Sequence, residues 1–159
     1  MANEIQPHNQ RPAAMWSSGG AAYDKISSGI ADSIEHCVLR LDPKPGEYVL
    51  DLSTGTGWTS RVVARRGARV TGVDIAADMV AAAQKTAKAQ GLAIEYRIGD
   101  AESLPFADGE FDAVVSTCGV MFASRTAARF HRLPRWFSHG PRNLRPARVL
   151  ADGRREELI

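Results

Sequence analysis

VLDLSTGTGWTSRVV, residues 49–63, decides how this chain is to be read. Its first four residues are a short apolar run of the kind that forms a buried strand. The run breaks at once into the small residues Ser-Thr-Gly-Thr-Gly. An amphipathic segment, WTSRVVARRG, follows and is closed by Gly67. A strand that turns this sharply into a helix needs residues able to take positive φ, and Gly55 and Gly57 supply them. Without a Cβ they also let a ligand approach the backbone. The N–H groups at the start of the helix then favour an anionic or carboxylate-bearing ligand. Any strand-to-helix turn can use glycine, so Gly-x-Gly alone is weak evidence, and the context has to decide.

Working outward, the elements alternate. Upstream, Ile26, Ile30, Ile34, Val38 and Leu41 recur at helical spacing from about Ala21 to Leu41, and LDPKPGE ends that helix. Downstream come a strand in ARVTGVD, an Ala-rich helix in ADMVAAAQKTAKAQG, a strand in AIEYRIGD, a loop with a short helix in AESLPFADGE, and a strand in FDAVVST. Strand–helix alternation predicts an α/β fold, a Rossmann-like parallel sheet with right-handed crossovers and helices on both faces. In such sheets ligands bind outside the carboxyl ends of the strands. Asp51, Asp74 and Asp100 all fall at or near those ends.

Bulk properties set the limits. At 159 residues and a net charge of +2 the chain fits one ordinary domain, and the charge by itself implies no polyanionic partner. Residues 1–124 carry 11 Lys and Arg against 15 Asp and Glu, whereas 125–159 carry nine Arg, no Lys and three acids. Cys37 and Cys118 have no metal-ligand spacing, and the expectation is two free buried thiols in a reducing, cytoplasmic setting. The polar start, MANEIQPHNQRPAAMW, lacks an apolar signal region, and no run is long enough to span a membrane. No metal cluster or Ser/His/Asp triad stands out, and His8, His36, His131 and His139 read as surface or structural residues.

The acid closing the second strand, Asp74, lies 17 residues after Gly57. There it can accept both hydroxyls of a ribose, from NAD or from another adenosine ligand. A dinucleotide fingerprint would have glycine where Ser60 stands, which disfavours a dinucleotide-dependent oxidoreductase. The loop GDAESLPF counts against one too.

With VLDLSTGTGW, VTGVDIAADMV and GDAESLPFADGEFDAVVS in this order, the sequence resembles the class I S-adenosylmethionine-dependent methyltransferases. It is most like the small-molecule enzymes related to ubiquinone and menaquinone biosynthesis. The resemblance runs from about Trp16 to Arg125. It implies S-adenosylmethionine as cofactor, a small-molecule methyl acceptor, and roles residue by residue. Asp51 would orient the turn or reach the methionine ammonium through water. Ser53, Gly55 and Gly57 would face the methionine portion, with Ser53 standing where the family often has glycine. Asp74 would hold the ribose and Ile75 would pack on the adenine. Asp100 would accept from the adenine amino group and the Ala101 N–H would donate to the ring, with Glu102 a neighbour. Thr117 and Cys118 would lie near the reactive methyl. Trp16 and Tyr23 are candidates to face the sulfonium. No general-base residue is assigned.

The resemblance fades after Arg125, where the family completes a seven-stranded sheet and its acceptor pocket. Pro134, Pro141 and Pro146 break any long helix there. LRPARVLAD is compatible with an edge strand, and nothing remains for a sixth or seventh. The domains expected are therefore a flexible segment 1–20, a cofactor-binding domain 21–124 and an Arg-rich atypical tail 125–159. The sheet would be incomplete at its C-terminal half. Nine Arg with no Lys favour an out-of-frame origin for the tail over a degraded fifth unit or a nucleic-acid arm, so a nucleic-acid partner is disfavoured. An exposed sheet edge would invite self-association. The functions in play are methyl transfer to a small molecule and, as the main rival, a cofactor-binding but inactive fragment.

Overall fold

The structure is a computed structural model and describes residues 5–107, 109–119, 122, 148–151 and 154–157. A 3-10 turn at Pro7–Asn9 leads into α1 (Gln10–Ser17). A second 3-10 turn at Gly20–Tyr23 leads into α2 (Asp24–Gly29) and α3 (Ala31–Leu41). The alternating part follows as β1 (Tyr48–Leu52), α4 (Trp58–Ala64), β2 (Arg69–Asp74), α5 (Ala77–Ala89), β3 (Ile94–Ile98) and β4 (Ala113–Ser116). β5 (Arg148–Ala151) and β6 (Arg154–Glu157) complete the described strands.

These strands form one sheet in the order β3-β2-β1-β4-β5-β6. The first five run parallel, with Asp51 beside Gly72 of β2 and Val115 of β4. β6 returns antiparallel on β5. The chain reverses its direction of travel across the sheet at β1, so the crevice beyond the ends of β1 and β4 is the switch point where ligands bind in such folds.

Alternate strand residues reach opposite layers, as the two-residue period requires. Val49, Val70, Ala113 and Val115 pack with Val38 and Leu41 of α3 and Val62 and Val63 of α4. Leu50, Leu52, Val73 and Val114 pack with Leu104, Phe106 and Phe111 of the long loop before β4. Beneath α5, Tyr96 packs with Val80, Ala83 and Ala87. Each fully buried Val or Leu stabilises the fold by about 1.5–3 kcal/mol, so these layers hold the strand ends in fixed register.

Several expectations need correcting. Residues 7–17, taken as part of a flexible segment 1–20, are helical, and Asn9 is buried. The domain therefore begins well before residue 21. The single helix expected over 21–41 is broken at Ile30, whose φ of −117° interrupts it, after the weak helix formers Ser27, Ser28 and Gly29. No helical turn occurs in the described part of AESLPFADGE. The two thiols were expected to be buried, but Cys118 is exposed and Cys37 only half-buried. The C-terminal stretch supplies β5, where an edge strand was expected, and pairs it on its other side with a sixth strand that the sequence reading did not anticipate. The reading of the Arg-rich tail over 125–147 lies outside the described residues.

Candidate active site

The turn after β1 is built from two layers of polar contacts. In the lower layer Asp51 is fully buried and its Oδ2 accepts from Thr54 Oγ1 and Ser60 Oγ, each at 2.6 Å. Burial pushes its carboxyl up to about 6, against the opposing pull of the two hydroxyls. Ser60, at the place where a dinucleotide fingerprint has glycine, is thus used to anchor this acid. In the upper layer Asp74 joins the end of β2 to the turn: its Oδ2 accepts from the Gly55 N–H at 2.8 Å and its Oδ1 from the Ala76 N–H at 2.9 Å. Burial raises its pKa, and these backbone donors oppose the rise. Ser53 sits at φ 59° and Gly55 at φ 56°. The left-handed backbone at Ser53 explains why glycine suits this place. At Gly55 a Cβ would meet open space, so its bare backbone faces a cavity and no packed neighbour.

That cavity is a cleft open to solvent at its mouth. Of the residues picked from sequence, Ser53, Gly55, Asp74, Ile75, Asp100, Ala101 and Thr117 line it together. Asp51, Gly57 and Glu102 stand behind the wall. Asp51 supports the turn from below and makes no part of the cleft surface. Gly57, at φ 80°, starts α4 and leaves room for the Tyr96 hydroxyl. Thr117 Oγ1 meets Thr59 Oγ1 at 2.6 Å, tying the end of β4 to α4.

The N-terminal segment contributes more than its sequence suggested. Asp100 Oδ2 accepts from the Gln6 N–H and from Asn9 Nδ2, both at 3.0 Å, and its Oδ1 accepts from the Glu102 N–H at 2.8 Å. His8 Nε2 lies 2.8 Å from Glu102 Oε2, so this histidine has a partner that sequence alone did not reveal. Trp16 packs edge-on to Tyr23 with ring centroids 6.0 Å apart, and Phe122 lies 5.2 Å from Trp16. All three line the cleft. Asp24 of α2 fastens this cover to the turn by accepting from Thr56 Oγ1 at 2.9 Å and from the buried guanidinium of Arg61 at 3.2 Å. Asn9 and Phe122 were missed from sequence. A polar start with prolines carries no period that would mark Asn9, and Phe122, a few residues past β4, was given no role. Among the described residues no group of His, Cys, Asp and Glu is arranged to hold a metal ion.

Residues 49–140 match a family model described as a methyltransferase domain. The chain belongs to the class I S-adenosylmethionine-dependent methyltransferases. An uncharacterised protein of Mycobacterium tuberculosis is 49% identical to this chain over 80 residues, which are 50% of this chain and 29% of that protein. The demethylmenaquinone methyltransferase of Corynebacterium kroppenstedtii is 33% identical over 135 residues, 82% of this chain and 56% of that protein. The chain thus spans only about a third to a half of the length of these relatives. Among solved structures, Haemonchus contortus phosphoethanolamine N-methyltransferase 2 in complex with S-adenosyl-L-methionine superposes with a TM-score of 0.64 at 27% identity. That match covers 74% of this chain and 27% of the other. No described helix of the chain is long and apolar enough to cross a membrane.

Proposed function

We propose that this methyltransferase binds S-adenosylmethionine along the cleft and passes its methyl group to a small-molecule acceptor resting against the aromatic wall. The observation that carries the reading is the convergence of Asp74, Asp100 and the open backbone of Gly55 on one cleft at the switch point. Two separated carboxylates suit an adenosine ligand, one at the ribose hydroxyls and one at the adenine amino group. Ile75 and Ala101 line the cleft between them, apolar surface for a flat ring. Ser53 and Gly55 bring bare backbone to the amino-acid end, and Asp51 keeps that turn in shape from behind.

When bound, the cofactor supplies a methyl group already activated by its sulfonium. The work left to the chain is alignment, and holding two reactants in line can supply several kcal/mol of the barrier reduction. Trp16, Tyr23 and Phe122 offer ring faces, which favour a positive centre nearby and exclude water from that side. Thr117 and Cys118 follow β4 at the same wall. The acceptor named by the relative of Corynebacterium kroppenstedtii, demethylmenaquinone, is the first to assay. Self-association along an open sheet edge, with β3 and β6 at the edges among the described residues, and a cytoplasmic setting belong to the same reading.

Calorimetric titration with S-adenosylhomocysteine and, separately, NADH tests it. Binding of the first and not of the second is expected, and the reverse would sink the cofactor assignment. Turnover of S-adenosylmethionine with demethylmenaquinone then separates an enzyme from a fragment that only binds cofactor.

A further inference from the structure

Asp100 is 1% exposed, yet it lines the cleft. A carboxylate in that position is useful as an acceptor only if it cannot swing away from its ligand. Its orientation is fixed from two directions. The Glu102 N–H holds Oδ1 from within the same loop. The Gln6 N–H and the Asn9 amide hold Oδ2 from a segment more than 90 residues away in sequence. Asn9 is itself buried and lines the cleft. The contact between His8 and Glu102 clamps the same two segments once more.

We infer that Asn9 and the Gln6 backbone are positioning groups that make this methyltransferase selective for adenine over other purines, by fixing Asp100 as an acceptor. The inference rests on the proposed binding of S-adenosylmethionine in this cleft. An adenine amino group donates to a held carboxylate. Hypoxanthine presents a carbonyl oxygen at the same place, and two acceptors facing each other repel. A carboxylate that cannot turn enforces the difference. One released from its two donors can rotate away and tolerate either base. The segment at residues 6–9, which reads in sequence as a loose tail, is on this view part of the cofactor site.

Two variants of the full chain test this. Asn9→Ala removes the side-chain donor. Gln6→Pro removes the backbone N–H together with the Gln side chain, for which Gln6→Ala is the control, and the φ of −57° at Gln6 is already a proline value. Affinities for S-adenosylhomocysteine and for S-inosylhomocysteine are measured by calorimetry, with melting curves in the absence of ligand. Loss of a hydrogen bond to a charged group predicts about a tenfold fall in the preference for the adenine ligand in each variant, with ligand-free melting nearly unchanged for Gln6→Pro. Equal weakening toward both ligands, or an unchanged ratio, in a wild type that does prefer adenine overturns the inference alone. A wild type that binds neither ligand overturns the cofactor reading beneath it.

Discussion

Gly57→Ala is the perturbation whose effect the structure specifies most closely. Gly57 has φ 80°, and an alanine forced into the left-handed region costs about 1–2 kcal/mol. The added methyl would also collide with neighbours. It would overlap the Tyr96 hydroxyl, lie 2.9 Å from Tyr96 Cζ and sit 3.0 Å from Ala83 Cβ. Tyr96 is buried under α5, so its ring cannot move without disturbing the packing of Val80 and Ala83. Overpacking of this kind costs about 1–3 kcal/mol, giving roughly 2–5 kcal/mol in total against a stability that is typically about 5–15 kcal/mol. Urea unfolding measures the loss. The decisive comparison is with Tyr96→Phe, which removes the hydroxyl that the new methyl would strike. If the collision is real, the double variant is more stable than the sum of the single effects implies, by about 1 kcal/mol. Strict additivity would refute the steric part of the reasoning and leave only the backbone term.

Other outcomes follow from the same geometry. Asp74→Ala removes the acceptor that joins Gly55 to the end of β2, and it should weaken S-adenosylhomocysteine binding roughly ten- to hundredfold; unchanged affinity by calorimetry in a folded variant would take Asp74 out of the site. Asp51 has a carboxyl raised from 3.8 to about 6, so between those pH values the native state holds its proton while the unfolded state has lost it. Stability therefore falls as pH rises through that window, by about 3 kcal/mol from this group once both states are ionised; the Asp51→Asn variant should lose this slope, which urea titrations at pH 4 and pH 7 would show. Asp24→Ala removes a carboxylate from the Arg61 guanidinium, 4% exposed, and leaves the Thr56 carbonyl accepting from it. Because Asp24 itself is 40% exposed, the expected loss is only about 1–2 kcal/mol, and a melting temperature equal to wild type would mean that the pair does not hold α2 to the turn.

The sequence by itself determined the alternation of β1, α4, β2, α5, β3 and β4. Each of these segments carries a local signal that needs no distant partner: an apolar run for a strand, a helical period, and a closing glycine at Gly67 or Gly91. It also determined that Asp74 and Asp100 close successive parallel strands, and parallel strands in one sheet must end on the same side. Their meeting at one cleft was therefore legible. So were Ser53 and Gly55, because the turn demands small residues able to take positive φ, which both show. Tertiary structure alone decided the rest. That Asp51 faces Ser60 and Thr54 instead of the cleft depends on which side of β1 it leaves and on how α4 packs. That His8 and Asn9 lie against Glu102 and Asp100 depends on contacts spanning more than 90 residues, and no local pattern in a polar, proline-bearing segment encodes them. Ile30 fits the helical period of the N-terminal region, yet the chain breaks there, because α2 is drawn onto the turn through Asp24 while α3 packs on the sheet through Val38 and Leu41. Periodicity fixes where apolar side chains recur along a segment; only the packed neighbours fix what each of them meets.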